Sequence, residues 1–345
     1  MGKEKKNPLQ PVTMVDVAKL AGVSQPTVSR ALRNDPRISE AVKSKVREAA
    51  DKLDYRPNPL VSALTSQIRG YRRSPIHATI CILHCLDKND LNAYNPYYEG
   101  ATRRAADLGY GTDLIKLHEL DFSLSAVNRV IRARSFQGIL VLPVRSDFSL
   151  EELDLSHIAS ATVDPSLRSP DLHRASPDYF QSMELALDQL ASRGCKRISY
   201  CTWDDEQARI GSRWMGSYLR WHMLRGIKMQ PFVNSEWQTK PFIEYIRREK
   251  PDAIVSNSLF YYNALLKQGI PVPDQISFAS LVAVDGNSAI AGIDQRSEQI
   301  AAAAIDLVVS QMYRNEHGIP DLPKSVSIRG KWLDGATVPL KPEID

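Results

Sequence analysis

The order of hydrophobic and polar positions divides the chain into a short helical part and a longer part of mixed structure. Up to about residue 55, apolar residues recur every three or four positions in three segments, a spacing that predicts three helices. From residue 77 onward, near-continuous apolar runs such as "ATICILHC" alternate with amphipathic stretches. Such runs are typical of strands buried in a parallel sheet, so the longer part is predicted to be α/β.

Turn residues mark where the first two predicted helices begin and end. The segment "TMVDVAKLAG" has Thr13 as a candidate N-cap and stops at Gly22, a residue that tolerates the left-handed conformation of a helix end. Ser24 is a second candidate N-cap, which places Gln25 and Pro26 in the first turn of the next helix. A proline there removes only an amide that has no helical partner, so the second helix is predicted to start at this point.

The second predicted helix has an apolar inner face and a polar outer face. Two short helices joined by a tight glycine turn are typical of a helix-turn-helix, in which Arg and Gln read base edges and Ser and Thr hold phosphates. The candidates for DNA contact are Gln25, Pro26, Ser29, Arg30 and Arg33, followed by Arg37 and Ser39 as phosphate contacts. From this spacing alone, a basic helical bundle that binds another protein remains an alternative.

A proline-rich segment, "YRPNPLVSALTSQIRGYRRSP", follows the third predicted helix. Asn58 is a candidate cap for a short helix with Pro59 in its first turn. Such a helix is too short to be stable alone, so we expect it to form against a partner on DNA, with Leu64 inserted between base steps of the minor groove. The alternative is a simple interdomain linker.

Two successive runs of alternating strands and helices follow, and they predict two doubly wound lobes. The late helix "SEQIAAAAIDLVVSQMY" is predicted to return to the first lobe. Ligands of such folds bind at the carboxyl ends of the strands. The expected fold is an all-α helix-turn-helix head plus an α/β, two-lobed effector domain with doubly wound parallel sheets.

Charge is distributed unevenly between these parts. The chain has a net charge of +4, yet its first 74 residues contain fifteen Lys and Arg against seven Asp and Glu. The remainder is therefore mildly acidic, and we expect only the head to meet a polyanion. No apolar run is long enough to cross a bilayer and no signal peptide is recognisable, so we expect a cytoplasmic protein without a membrane partner.

No catalytic or metal-binding motif stands out in the sequence. GxSxG, HExxH, the Walker loop and GxGxxG are all absent from it. The four cysteines form no CxxC pair and are expected to be small buried residues of strands. We therefore expect a protein that is not an enzyme and that uses neither a metal nor a cofactor.

The stretch "VDVAKLAGVSQPTVSRAL" followed by "YRPN" resembles the DNA-binding head of the lactose-repressor/galactose-repressor (LacI/GalR) family, densely so over residues 12–64. The resemblance implies base contacts by Gln25, Pro26 and Arg30, and a minor-groove wedge at Leu64. It also implies phosphate contacts by Thr13, Ser24, Thr27, Ser29, Asn34, Arg37, Tyr55 and Asn58 or their neighbours. Pro59 departs from the usual pattern at a position where a proline is tolerated.

The longer part is similar to that family's periplasmic-binding-protein-like core. The resemblance implies an effector site, for which the sequence supplies Tyr97, Tyr98, Asp164, Arg213, Asn257 and the nearby Asp285, with Arg213 as the clamp. Leu281 stands where the family often has an aspartate that binds a sugar hydroxyl, and Ser258 also replaces an acid. Capping roles for Asp164 and Asn257 and a structural ion pair for Arg213 remain alternatives.

Trp203 and Trp214 are expected to belong to the core or cleft wall.

We expect a homodimeric transcriptional regulator, in the first place a repressor, that binds a pseudo-palindromic operator in the nucleoid and responds to a sugar or sugar derivative. A ligand-independent regulator with a degenerate cleft and a solute-binding protein are the alternatives.

The chain is predicted to divide into a disordered tail (1–11), the helix-turn-helix (12–57), a hinge helix and linker (58–74), and two lobes (75–345). The first lobe takes about 75–174 and 293–320, and the second about 175–292 and 321–335.

Overall fold

The computed structural model describes residues 14–32, 35–53, 55, 78–86, 91–144, 148–235, 238–283 and 289–339. The predicted tail and hinge helix lie outside these residues. So do several predicted site residues, namely Thr13, Arg33, Asn34, Asn58, Leu64 and Asp285. The predictions made for them stay predictions.

The described part of the head contains the three predicted helices: α1 (Met14–Ala21), α2 (Gln25–Leu32) and α3 (Glu40–Lys52). Gly22 ends α1 with a φ of 65°, the left-handed conformation expected of it. The three helices bury one small apolar cluster, in which Val17, Val28 and Val46 are fully inaccessible to solvent. Because each helix contributes to this cluster, the polar face of α2 is left on the outside.

The rest of the chain alternates strands and helices, as predicted. Residues 78–177 form β1 (Thr79–His84), α4 (Leu91–Asp107), β2 (Gly111–Lys116), a 3₁₀ turn (Leu117–Leu120), α5 (Leu124–Arg134), β3 (Gly138–Val141), β4 (Ala159–Val163) and β5 (His173–Pro177). Residues 179–333 form α6 (Tyr179–Ala191), β6 (Ile198–Trp203), α7 (Asp204–Ile210), α8 (Arg213–Leu224), β7 (Phe232–Asn234), α9 (Thr239–Glu249), β8 (Ala253–Ser256), α10 (Leu259–Lys267), β9 (Ser277–Ser280), β10 (Ala291–Asp294), α11 (Ser297–Arg314), β11 (Ser325–Ile328) and β12 (Lys331–Leu333).

Within the described ranges, the strands form two sheets of six. The first sheet has the order β11-β5-β4-β3-β1-β2 and is parallel throughout. The second has the order β12-β10-β9-β8-β6-β7 and is parallel except for the pairing of β12 with β10. We call the first sheet with α4, α5 and α11 the first lobe, and the second sheet with α6 to α10 the second lobe. Each lobe has its own apolar clusters.

Among the described residues the chain passes between the lobes three times: after β5, after β10 and after β11. The return of α11 to the first lobe is as predicted, since α11 packs against α4 and the first sheet. The predicted partition needs a correction near the C-terminus. Ser325–Ile328 pairs with β5 in the first sheet, although residues 321–335 were assigned to the second lobe. Its alternating "SVSI" sequence, at a sheet edge, carries no apolar run that would indicate its lobe.

The described residues include no helix that could cross a membrane and no cluster of metal-ligating side chains. Cys81 and Cys201 lie buried in β1 and β6, and Cys85 is buried directly after β1. Burial raises the pKa of the Cys85 and Cys201 thiols to about 12. These thiols are therefore protonated at neutral pH, in keeping with the structural role expected of them. Cys195 departs from the expectation, because it is half-buried and lies before β6.

Candidate nucleic-acid interface and interlobe cavity

One side of α2 carries the predicted base-reading residues. Gln25 and Arg30 are exposed, whereas Val28 and Ala31 are fully buried on the opposite side. The exposed side therefore combines an amide and a guanidinium, the two groups best suited to read adenine and guanine edges. The backbone of Pro26 and Ser29 belongs to the same helix.

The start of α2 is fixed by the predicted serine cap. The Ser24 hydroxyl accepts a hydrogen bond from the Thr27 amide at 3.4 Å and lies 2.8 Å from the Thr27 hydroxyl. Ser24 is exposed and Thr27 is half-buried. Both hydroxyls thus sit at the N-terminus of α2, where unpaired amides and the helix dipole favour an anion such as a phosphate.

Arg37 is already paired within the head. Its Nε and Nη2 donate to Asp35 Oδ1 and Oδ2 at 2.9 and 2.7 Å, and its side chain is 74% exposed. Hydrogen bonds from Arg37 hold the pKa of Asp35 well below its usual range. A phosphate bound by Arg37 would have to share this guanidinium with a carboxylate.

The two remaining described candidates of the head differ in accessibility. Ser39 is exposed at the N-cap position of α3, and its side chain makes no capping hydrogen bond. Tyr55 is half-buried, packs against the head cluster and donates its amide to the Ala50 carbonyl at 2.8 Å. Burial raises the pKa of the Tyr55 hydroxyl. The Ser39 hydroxyl is therefore the more accessible of the two for a phosphate.

A cavity of about 420 Å³ lies between the two lobes, at the carboxyl ends of the strands. We call it the interlobe cavity. It is lined by Pro96, Tyr97, Pro143, Asp164, Pro177, Tyr179, Arg209, Trp214, Asn257, Val282, Ala283, Asp294, Gln295 and Ser297. Its position is the one expected for a ligand site in this class of fold, and its size suits a small molecule.

Asp164 links the two lobes at this cavity. It follows β4 with a φ of 69° and is only 3% exposed. Its carboxylate accepts hydrogen bonds from the Ser166 amide (2.8 Å), the Tyr179 hydroxyl and Arg209 Nη1 (3.1 Å). Burial, and next the charge of Asp164, raise the pKa of Tyr179 well above its usual value. The pair with Arg209 joins the first lobe to α7 of the second.

The predicted clamp, Arg213, does not line the cavity. Arg213 is exposed, and its Nη1 donates to the Ile210 carbonyl at 3.2 Å. The reason is that α7 ends at Ile210, Gly211 and Ser212 follow with positive φ, and the chain starts a new helix at Arg213. Arg209, four residues earlier, reaches the cavity instead. The structural ion pair considered for Arg213 is likewise made by Arg209.

The other predicted effector residues divide in the same way. Tyr97 and Asn257 line the cavity, whereas Tyr98 is half-buried among the apolar residues of the first lobe and is not part of the lining. Ser258 caps α10, because its hydroxyl accepts from the Phe260 amide at 3.2 Å. Leu281 is fully buried in the core of the second lobe. The position where the family often has an acid is therefore apolar and outside the lining.

Sequence reasoning missed Tyr179, Arg209, Asp294, Gln295 and Ser297 as cavity residues. Four of these five lie where the chain passes between the lobes after β5 and β10. The signal that could have revealed them is the pair of segments "HRASPDY" and "AGIDQRS", each a short strand followed directly by polar residues and a helix. Trp214 lines the cavity wall and Trp203 stacks on Tyr261 at 5.1 Å, as expected of wall and core residues.

Two family models match the chain. One described as "Bacterial regulatory proteins, lacI family" matches residues 13–58, and one described as "Periplasmic binding protein-like domain" matches residues 187–332. The HTH-type transcriptional regulator MalR of Streptococcus pneumoniae is 26% identical over 194 residues, which is 55% of this chain. The match spans 56% of the length of that relative.

Two solved structures share the fold over 95% of this chain. The transcriptional regulator CelR in complex with cellobiose has a TM-score of 0.60 at 17% identity, and 100% of that chain is covered. The lac repressor dimer bound to operator and the anti-inducer ONPF has a TM-score of 0.57 at 16% identity, with 99% covered. These likenesses confirm the predicted fold class.

The sequence resemblance is confirmed by both parts of the chain. The head model matches the helix-turn-helix, and the second model matches most of the second lobe together with α11 and β11. MalR is a transcriptional regulator, in agreement with the prediction that the chain is not an enzyme. The chain therefore combines a lacI-family helix-turn-helix domain over residues 13–58 with a periplasmic-binding-protein-like domain over residues 187–332.

Proposed function

We propose that this chain is a sequence-specific DNA-binding transcriptional regulator whose operator affinity is changed by a small molecule in the interlobe cavity. The observation that carries the proposal is the combination of two sites in one chain. An exposed helix with Gln25 and Arg30 on its outer side belongs to a helix-turn-helix head. The same chain encloses a 420 Å³ cavity between two α/β lobes.

The names of similar proteins support each half of the proposal. A lac repressor dimer is bound to operator in one of the similar structures, and CelR is bound to cellobiose in the other. By analogy, this chain acts as a homodimer on a pseudo-palindromic operator in the nucleoid, with one α2 in the major groove of each half-site. The hinge of residues 58–74, with Leu64, would occupy the minor groove between them.

The predicted DNA contacts have distinct tasks in this arrangement. Gln25, Pro26 and Arg30 would meet base edges, while Ser24, Thr27, Ser29, Arg37, Ser39 and Tyr55 would position the head on phosphates. Thr13, Arg33, Asn34 and Asn58 would add further backbone contacts. Base contacts set which operator is chosen, whereas phosphate contacts set affinity for any duplex.

A sugar or sugar derivative is the ligand class that the cavity suits best. Its lining combines carboxylates, amides and aromatic rings, the groups that bind hydroxyls and the apolar faces of a sugar ring. Closure of the lobes around such a ligand would shift the first lobes of the dimer and thereby the hinges. The resulting coupling free energy is typically about 1–3 kcal/mol. Repression of target genes is the expected output.

A second candidate is a regulator that does not respond to a ligand. It is favoured by Leu281, which is buried and leaves the cavity without the acid often present there. It is also favoured by Asp164, whose carboxylate already accepts three hydrogen bonds from the protein. Both features reduce the number of groups left for a ligand.

The test begins with selection of duplexes from a random pool by the purified full-length protein. We expect a pseudo-palindromic consensus, and Arg30→Ala should lower affinity for it by about 1–3 kcal/mol and relax one base position. Lys228→Ala is the matched control, since it removes the same charge from an exposed loop residue of the second lobe.

Titration of sugars into the complex of protein and selected duplex then tests whether a ligand changes operator affinity. Binding without preference for any duplex would contradict the proposal, and a consensus that no sugar affects would favour the second candidate.

A further inference from the structure

The outer side of α8 carries more exposed large apolar side chains than any other helix among the described residues. Leu219, Met223 and Leu224 are 47%, 73% and 61% exposed. The inner side of the same helix is apolar too, because Trp214 and Tyr218 are buried in the core of the second lobe. A helix that is apolar on both sides is typical of one that is covered on both sides. The sequence of α8 is therefore suited to a second neighbour on its outer side.

The outer apolar side chains form a row along the helix. Met215, Leu219 and Met223 follow one another at intervals of four residues, which places them on one side of α8. Met215 is half-buried against the core of the second lobe, and the other two side chains are exposed. We call these three residues the α8 ridge. In the commonest class of helix packing, ridges of this spacing on two helices interdigitate, so an identical ridge is a natural complement.

The charged side chains beside the α8 ridge are already paired. Arg220 forms an ion pair with Glu184 of α6, and Arg225 forms one with Asp188 at 3.0 Å. Arg220 also lies over the ring of Phe180, which is 40% exposed and extends the apolar surface onto α6. These four charges offer no unpaired group to a partner of opposite charge. An identical surface meets no net repulsion from them, so the charges favour a second copy of this chain.

The size of the α8 ridge sets the strength of contact that it can make. A standard interface covers about 800 Å² on each partner, more than the face of one 12-residue helix provides. We therefore expect a weak association, with a dissociation constant on the order of micromolar. No ridge residue belongs to the lining of the interlobe cavity, so the contact does not use the cavity walls.

We infer that the α8 ridge is a self-association surface, at which two copies of this chain pair antiparallel about a two-fold axis near Leu219. In this arrangement Met215 of one copy meets Met223 of the other. Identical surfaces ordinarily meet about a two-fold axis, and flexible thioethers adapt readily to one another. The inference goes beyond the proposed function, since it depends neither on an operator nor on a ligand.

Sedimentation velocity of the full-length protein, without DNA or ligand, tests this pairing. One chain has a mass of 38.7 kDa, so each association step changes the sedimentation coefficient measurably. Leu219→Glu and Met223→Glu place a charge on the α8 ridge at exposed positions, where the fold tolerates it. Leu322→Glu is the matched control, because Leu322 is 83% exposed in the first-lobe segment between α11 and β11.

We expect the average mass of wild-type protein and of Leu322→Glu to rise with concentration between about 1 and 100 μM. The dissociation constant of this step should be at least about ten-fold larger for each of the two ridge variants. A wild-type mass that stays constant over this range would overturn the inference. So would a rise in mass that the ridge variants share with the wild type.

A charge-swap experiment tests the two-fold geometry and guards against misfolded variants. Leu219→Glu and Leu219→Lys each bring like charges together near the axis, so neither should associate alone. An equal mixture of the two should associate at low ionic strength, because opposite charges then meet, and added salt should reverse it. Misfolded proteins would not show this mutual rescue. A mixture that associates no more than its components would overturn the pairing at Leu219.

Discussion

Asp35 and Arg37 form a two-point ion pair in the turn before α3. The pair sets how strongly Arg37 can act as a phosphate contact, because the guanidinium must exchange one anion for another. An exposed pair of this kind adds little to folding stability. Its effect should therefore be sought in DNA binding.

Asp35→Asn should raise affinity for operator and random duplexes by the same factor, since it frees Arg37 without touching a base-reading residue. The slope of log affinity against log salt concentration should become steeper by about 1, as expected for one further phosphate contact. Fluorescence anisotropy at several salt concentrations measures both quantities. Asp51→Asn, at an exposed position of α3, makes the same change in net charge and is the control. Equal slopes for the two variants would remove Arg37 from the phosphate contacts.

The family pattern and the structure of this chain assign the cavity arginine to two different positions, four residues apart. Arg213 occupies the position that the sequence pattern favours, but Arg209 makes the ion pair with Asp164 and lines the cavity. Arg209→Ala should lower stability by about 1–3 kcal/mol because a buried acceptor loses a donor. It should also change the response of operator binding to ligand.

Arg213→Ala removes the same group from an exposed site and should leave both properties near those of the wild type. Chemical denaturation and operator titration with and without ligand measure the two effects. The reverse ranking, in which Arg213→Ala alone abolishes the ligand response, would restore Arg213 as the clamp.

Elements with a continuous apolar run or a strong apolar period could be predicted from the sequence, and elements without either could not. The head helices and β1 lie within a few residues of the predicted segments. The predictions missed α7 and the strands β5, β7, β10, β11 and β12. Two of these strands have only three residues, and the other three, "HRASP", "AGID" and "SVSI", are interrupted by polar residues or glycine, unlike the equally short apolar runs "GILV" and "AIVS". The polar "DDEQARI" of α7 has no apolar stripe.

The same limit explains the partial prediction of the cavity. Asp164 and Asn257 directly follow the strands β4 and β8, and the family resemblance implied them, together with Tyr97, as effector residues. Tyr179 and Gln295 follow the short strands where the chain changes lobe, so their convergence depends on pairings between distant segments. Arg209 could not be preferred to Arg213 because the break between α7 and α8 depends on positive φ at Ser212, a residue that rarely adopts it.

Close packing of α4 on α11 brings two cavity walls together. A Cβ on Gly100 would lie 2.3 Å from the Glu298 carbonyl oxygen, at the N-terminus of α11. Gly100→Ala should therefore force the two helices apart and cost about 1–3 kcal/mol. Gly216→Ala is the matched control in α8, because nothing lies within 4 Å of its added Cβ, and it should be neutral or slightly stabilising. Thermal denaturation compares the two, and equal melting temperatures would show that α4 and α11 are not held this closely.

Three chain passages connect the lobes, and the whole molecule is therefore a candidate for switching between two arrangements of the lobes. One passage carries Gln295, which accepts from Ser182 and donates to the Leu281 carbonyl. The Asp164–Arg209 pair bridges the lobes at the cavity. A ligand that changes the distance between the lobes must act on the Asp164–Arg209 pair, and the head is joined to the first lobe by residues 56–77. Any effect of the ligand on DNA binding is therefore a coupling between two separate sites.

Such coupling is reciprocal, which gives a prediction that does not depend on its sign. If a sugar changes operator affinity by a given factor, typically about 5- to 150-fold, operator must change the affinity for that sugar by the same factor. Calorimetry of the sugar with free protein and with protein saturated by the selected operator measures this factor. A scrambled duplex of equal length is the control and should leave sugar affinity unchanged. A sugar that binds equally with and without operator would show that the cavity is not coupled to the head, and the regulator would then act independently of the ligand.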